Sequence, residues 1–398
     1  MSNSTIISSE KSRGQYLHEA KALKLESREL ASLASDEVRI AIRSTTICGS
    51  DVHYYTHFCN GSIQVREALC LGHEAAGQVV AVGTLASQAR PGLKVGDTVA
   101  LECGVPCKQC AHCRSGRYNI CPDLRFRSSG SKFPHYQGTL QEFVDHPACW
   151  VHHLPPELDF DAGALLEPLA VAIHAVHRAG PDMISHRRAC LVFGAGAVGL
   201  LCAMAARAAN CQDIVMVDID EGRLGFALEH GFASVVYAVK PKRGETLEDK
   251  LGISKATATE IGELKWPDGE PIGMVQRTFE CTGADSCLQS SIYATASGGS
   301  VILVGMGIPN HTLPISELSA REINLVSTWR YADAYPRAIE IAKASITRSP
   351  IDGNTLPDMS HMITHRFKGL DLVQDALEMA RKTRDADGKL VVKTVVAL

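Results

Sequence analysis

The sequence predicts an α/β protein of two unlike parts, a compact β-rich unit and a doubly wound unit on a parallel sheet. Three observations carry this. Tyr16 to Leu101 holds short apolar alternations, such as Val38-Arg39-Ile40-Ala41-Ile42, broken by Gly and Pro at close intervals. Ala189-Cys190-Leu191-Val192-Phe193 is a continuous apolar run that passes through Gly194-Ala195-Gly196-Ala197-Val198-Gly199 into an Ala-rich stretch ending at Ala209, the pattern of a buried strand turning into a buried helix. Further strand-like runs follow at Ile214 to Val217, Ser234 to Ala238, Val275 to Phe279, Ser300 to Gly305 and Ile323 to Ser327, enough for a sheet of six strands with intervening helices.

Size and charge narrow the function classes. The 398 residues suffice for two or three domains with a sizeable core, and the net charge of −4 gives no general attraction to nucleic acid or to an anionic membrane. Met1 to Ser9 is Ser-rich without an apolar core between basic flanks, so no signal peptide is expected. Ala189 to Ala206 is uncharged and reaches the roughly 18 residues at which a membrane span is suspected. Its glycine spacing favours a strand and helix instead. Fourteen cysteines, several at metal spacing, and no export signal point to a reducing, cytoplasmic setting.

In the first part, Gly77 to Val82 and Asp97 to Leu101 are expected strands by their β-branched content, with Pro91-Gly92 and Gly96-Asp97 as turns. Leu71-Gly72-His73-Glu74-Ala75-Ala76-Gly77 sets an imidazole and a carboxylate between two glycines. Upstream, Cys48, Ser50 and His53 add a thiol, a hydroxyl and a second imidazole, and downstream Glu167 adds a carboxylate in an apolar run. Thiolate, imidazole and carboxylate are the ligand types of catalytic zinc. Taken singly, Cys48 reads as a buried apolar residue and His73-Glu74 as a surface pair.

Cys107, Cys110, Cys113 and Cys121 have the form C-x2-C-x2-C-x7-C, which can close a tetrahedral all-thiolate zinc site. A reactive redox pair is the alternative, and Cys103 is a spare. His152 and His153 are adjacent on an expected strand and face opposite ways. His174 and His177 are three apart on an expected helix with no third partner in view. All four are expected to be structural.

In the second part, strand, glycines, helix, strand and the acid Asp218, 19 residues beyond Gly199, form a dinucleotide-binding (Rossmann) fingerprint. Glycines let the backbone approach the pyrophosphate, the helix N-terminus offers free N–H groups, and the acid accepts from the ribose 2′-hydroxyl. A 2′-phosphate beside Asp218 would meet like charge, so NAD is favoured over NADP. Arg223 is expected near the adenosine ribose. Lys240 to Gly273 is polar with no sustained period and is expected to be an insertion or elaborated loop. Helical spacing over Leu370 to Lys382 and a closing strand at Leu390 to Val396 return the chain to the first part. The expected domains are 1–178, 179–328 and 329–398, the last rejoining the first.

With Gly72-His73-Glu74-x-x-Gly77, the four cysteines and the glycine fingerprint assembled, nearly the whole chain resembles the zinc-containing medium-chain dehydrogenases, with a GroES-like catalytic domain and a Rossmann domain. Cys48-Gly49-Ser50-Asp51-Val52-His53-Tyr54, Glu167 in Leu166-Glu167-Pro168-Leu169, and Trp329-Arg330-Tyr331 resemble the polyol branch, the sorbitol, xylitol and L-arabinitol dehydrogenases. The four-cysteine lobe suggests a fungal type.

The resemblance implies an NAD-dependent oxidoreductase that takes a hydride from a secondary hydroxyl of a sugar alcohol to give the ketose. It implies two zinc ions: a catalytic one on Cys48, His73, Glu74 and, directly or through water, Glu167, and a structural one on Cys107, Cys110, Cys113 and Cys121. It also implies a proton path through Ser50 and His53 or through Glu167, and polyol contacts at Tyr54, Glu167, Arg330 and Tyr331. Expected NAD contacts are Gly194, Gly196, Val198, Gly199, Asp218, Arg223, Val304, Gly305, Met306, Thr328, Trp329 and Arg330. A homotetramer is the family habit. Another zinc alcohol or threonine dehydrogenase of the same fold, or a non-catalytic dinucleotide-binding protein, remains the alternative.

Overall fold

The computed structural model describes residues 11–180 and 187–398. Met1 to Ser9, expected to carry no signal peptide, lies outside the described residues. The chain divides into two compact units, Met1–Glu167 with Ser360–Leu398, and Pro168–Met359. The sequence expectation set these boundaries after residues 178 and 328.

The first unit is the GroES-like β-rich fold. Its main sheet runs in the order Val151–His153, Thr98–Leu101, Glu74–Val82, Glu37–Thr46, Lys393–Ala397, Ile363–Lys368, with Phe143–Pro147 also paired to Glu37–Thr46. Two registers set the chemistry. Glu37–Thr46 lies antiparallel to Glu74–Val82 with Thr46 opposite Glu74, and Lys393–Ala397 lies antiparallel to Glu37–Thr46 with Val395 opposite Thr46. Three strand ends from distant parts of the sequence therefore meet around Thr46. Cys48 follows as the N-cap of helix Gly49–His57.

Gly72, just before His73, has φ +89°, and a Cβ there would meet Thr139 Oγ1 at 2.8 Å and Thr45 Cγ2 at 2.9 Å. Only glycine fits this turn. The helix expected over Leu370 to Lys382 forms as a 3-10 turn Leu370–Leu372 and an α-helix Val373–Ala380. Its Val373, Ala376 and Leu377 bury against Tyr55, Leu69 and Leu71.

The second unit is the Rossmann fold. Six parallel strands stand in the order Val235–Ala238, Asp213–Asp218, Ala189–Phe193, Val275–Glu280, Thr295–Leu303, Asn324–Ser327. The order reverses beside Ala189–Phe193, and at such a switch point a dinucleotide binds. The Ala189 to Ala206 stretch is that central strand and helix Ala197–Ala208, and no described helix is long and apolar enough to cross a membrane.

The loop expected over Lys240 to Gly273 is corrected by the structure: Leu247–Glu263 is a helix of 17 residues, opened by a capping box of Thr246 and Asp249. Its buried side is Ser254, Thr257, Ala258 and Ile261. These recur at helical spacing, but three of the four are small or polar, so no hydropathy period showed.

Candidate active site and metal centres

The catalytic candidates Cys48, His73 and Glu74 come together. One ligand atom from each lies within 4.8 Å of the others, with His73 and Glu74 buried and Cys48 half-buried. Glu167 is buried at the start of helix Leu166–Arg178 but is not a member of this cluster.

Four residues that sequence reasoning did not single out surround the cluster. Asp51 is fully buried. It accepts from the N–H of Gly72 (3.0 Å), the Ser128 hydroxyl (2.7 Å) and the N–H of Cys48 (3.1 Å). His73 Nδ1 stands 3.3 Å from Asp51 Oδ1, close enough for charge attraction though not aligned for a hydrogen bond. Burial disfavours charge on both groups. Asp51 and Cys48 nevertheless hold the His73 pKa well above the usual histidine range, and His73, Ser128 and Gly72 hold Asp51 below the usual carboxylate range. Ser50 Oγ lies 3.4 Å from the other ring nitrogen, Nε2. A carboxylate placed beside one ring nitrogen can orient a metal-ligating imidazole, and here Asp51 does so by charge.

Glu74 is held from the other side. Lys393 Nζ lies 2.8 Å from one carboxylate oxygen and 2.6 Å from the other, and the Thr46 hydroxyl donates to the same carboxylate. Both charged groups are buried. Burial alone would lower the Lys393 pKa, but Glu74 and Cys48 raise it. Asp51 could have been suspected from its place three residues beyond Cys48 in a capping arrangement. Nothing local marks Lys393.

His53 is exposed one turn along the helix from Ser50. Tyr54 is buried, and its hydroxyl accepts from the N–H of Gly130 (3.2 Å). Its phenol is thus committed to the 128–131 loop.

Cys107, Cys110, Cys113 and Cys121 also converge, with ligand atoms within 4.8 Å of one another. Backbone N–H groups of Gln109 and Cys110 lower the Cys107 pKa to about 7, while burial and the neighbouring sulfurs push Cys113 up to about 12. Four sulfurs this close cannot all ionise without a cation, which suits one metal better than separate thiols. All fourteen cysteines are free of disulfides, and these two groups are the metal-competent clusters among the described residues. His152 and His153 are structural, on Glu102 (2.8 Å) and Asp97 (2.9 Å).

In the Rossmann unit, a Cβ on Gly199 would meet Gly194 O at 1.8 Å, so the helix seats directly on the turn. Asp218 ends its strand and accepts from the N–H of Ala195 (2.7 Å) and Asp220 (2.9 Å). Arg223 stands in the following helix Glu221–Glu229, capped by Asp220. Val304 and Gly305 donate to Glu280 O (2.9 and 2.8 Å). The buried Thr328 hydroxyl has no partner among the described residues, a polar atom a bound dinucleotide could satisfy. Arg330 has φ +49° and Tyr331 is buried.

This geometry defines a class, a two-unit dehydrogenase with a thiolate–imidazole–carboxylate metal cluster and a dinucleotide fold. Residues 34–156 match the alcohol dehydrogenase GroES-like domain, and residues 197–344 match the zinc-binding dehydrogenase family. The chain is 38% identical over 353 residues to L-arabinitol 4-dehydrogenase of Aureobasidium melanogenum, covering 89% of this chain and 85% of that protein. It is 34% identical to sorbitol dehydrogenase of Gallus gallus, covering 95% of each. Among solved structures, an Escherichia coli oxidoreductase of unknown specificity superposes with a TM-score of 0.78 at 29% identity, over 97% of this chain and 99% of that one. The chain therefore belongs to the zinc-containing medium-chain dehydrogenases, within their polyol dehydrogenase branch. Zinc and NAD(H) are this family's cofactors.

Proposed function

We propose that this chain is an NAD-dependent zinc polyol dehydrogenase, oxidising a secondary hydroxyl of a sugar alcohol to the ketose. The observation that carries the reading is the convergence of Cys48, His73 and Glu74, backed by buried Asp51 and Lys393. The names of its relatives supply the substrate class.

Cys48, His73 and Glu74 would hold the catalytic zinc, a three-ligand donor set of the kind that leaves a position for substrate. Glu167, outside that cluster, acts through water. Cys107, Cys110, Cys113 and Cys121 hold the structural zinc. Zinc supplies a Lewis acid able to bring an oxygen pKa from about 16 to about 7, worth roughly 12 kcal/mol, and NAD supplies the hydride acceptor.

The chain's own residues do the rest. Asp51 orients the His73 ring; Ser50 Oγ, 3.4 Å from His73 Nε2, would accept the substrate's hydroxyl proton as it gives up its own, and exposed His53, one turn along the helix, would pass that released proton to solvent. Arg330 and Tyr331 contact the polyol, and Tyr54 acts by anchoring the 128–131 loop. Gly194, Gly196, Val198 and Gly199 would hold the pyrophosphate of NAD, Asp218 would accept from its ribose with Arg223 nearby, and Val304 to Met306 with Thr328 to Arg330 would hold the nicotinamide half. The free thiols support a reducing, cytoplasmic compartment, and family habit supports a homotetramer.

A kcat/KM survey over sorbitol, xylitol, L-arabinitol and ribitol, with NAD and NADP and with ethanol and threonine as controls, tests the reading beside a zinc count. Polyol-dependent NADH formation and a zinc for each of the two clusters are expected. Turnover of ethanol or threonine without any polyol would overturn the substrate class.

A further inference from the structure

The four-cysteine lobe grips the catalytic histidine through its neck. Gly104–Val105 and Arg125–Phe126 pair where the chain enters and leaves the lobe, with Phe126 opposite Gly104. Cys103, fully buried at the entry, donates its thiol to the carbonyl of His73 at 2.7 Å. Its own carbonyl accepts from the N–H of Arg127 at the exit (3.2 Å). Phe126 packs edge-on to the His73 ring, with centroids 5.4 Å apart and planes at 60°. Backbone and ring of one metal-ligand candidate are thus both held by neck residues.

The neck is tied in turn to the lobe interior. Buried Glu102, adjacent to Cys103, accepts from the Tyr118 hydroxyl (2.5 Å) and from His152 Nε2 (2.8 Å). The Tyr118 carbonyl accepts from the N–H of Cys121 (3.0 Å). A continuous set of contacts therefore runs from a sulfur ligand of the lobe, through Tyr118, Glu102 and Cys103, to His73.

From this we propose that the lobe is more than a stabilising clip: its metal sets how tightly the catalytic pocket holds zinc, with Cys103 and Phe126 as positioning residues. The inference rests on the zinc reading above. A pocket whose histidine is fixed in advance binds metal without the cost of ordering it, and loss of such outer contacts weakens metal binding roughly 10- to 100-fold. Coupling of this kind is reciprocal, so emptying the catalytic pocket also loosens the lobe metal.

The test follows zinc release from the full-length holoenzyme to a chromogenic chelator. The catalytic phase is assigned by its absence in Cys48→Ser. Cys103→Ala should speed that phase about tenfold, while Cys103→Ser, which keeps a donor, stays near the parent. Tyr118→Phe removes a single hydroxyl and should also speed it, and serves if Cys103→Ala does not fold.

Cobalt placed in the catalytic pocket should show a shifted d–d spectrum in Cys103→Ala but not in Cys103→Ser, a signature that general destabilisation would not give. Parent-like release in both Cys103→Ala and Tyr118→Phe, or equal effects of the Ala and Ser variants, would overturn the coupling. If no release phase depends on Cys48, the zinc reading itself is what fails.

Discussion

Lys393 and Glu74 form a buried ion pair across 319 positions of sequence, at 2.6 Å, with Thr46 on the same carboxylate. Breaking such a pair from one side leaves a charge stranded away from water, at about 3–5 kcal/mol. Lys393→Met should therefore destabilise the metal-free protein by about that amount. Zinc on Glu74 compensates the lost charge, so the penalty should shrink when metal is restored. Chemical denaturation with and without zinc checks this, and an equal penalty in both states would contradict a shared carboxylate.

Asp51 stands 3.3 Å from His73 but is not a member of the metal-competent cluster. Asp51→Asn keeps the shape but removes the charge that orients the imidazole, and should weaken catalytic zinc by roughly 10- to 100-fold. Lobe zinc should be weakened less. Competition titration against a zinc buffer gives both numbers.

Gly199→Ala would place a methyl 1.8 Å from the Gly194 carbonyl. Backbone, not a flexible side chain, must give way, so the helix lifts from its turn. The expected cost is roughly 1–3 kcal/mol or more, together with loss of NAD binding in a fluorescence titration. Zinc content in the other unit should not change.

His146 gives a pH prediction. Burial and then the Arg127 guanidinium hold its pKa well below 6.5, so the folded protein keeps it neutral. Below pH 6.5 the unfolded chain takes up a proton that the folded chain refuses, and stability falls with falling pH. One pH unit below that value the loss from this group is on the order of 1 kcal/mol. His146→Gln should lack this part of the acid slope whatever its stability at pH 7, as measured by urea denaturation at pH 7.5 and 5.5.

Both metal clusters were legible in the sequence because ligand chemistry is local: four cysteines in one lobe, and a histidine and glutamate side by side. The doubly wound sheet was legible for a similar reason, since its central strand Ala189–Phe193 is apolar throughout and the glycines that follow fall where Gly194 and Gly199 are needed. The surroundings were not legible. Asp51 and Ser128 meet only through folding, and Lys393 is recognised as a partner only once the strand register places it beside Glu74. Helix Leu247–Glu263 was hidden by composition, although Thr246 and Asp249 offered a capping signal.

The first unit is discontinuous, with residues 168–359 interposed before Lys393. During translation the Glu74 carboxylate must wait for its counter-ion while an entire second unit emerges and folds. The β-rich half then remains open to solvent and to chaperones for the time needed to make more than two hundred residues. Its last strand, set between Glu37–Thr46 and Ile363–Lys368, completes the middle of the sheet and at the same time brings Lys393 to Glu74.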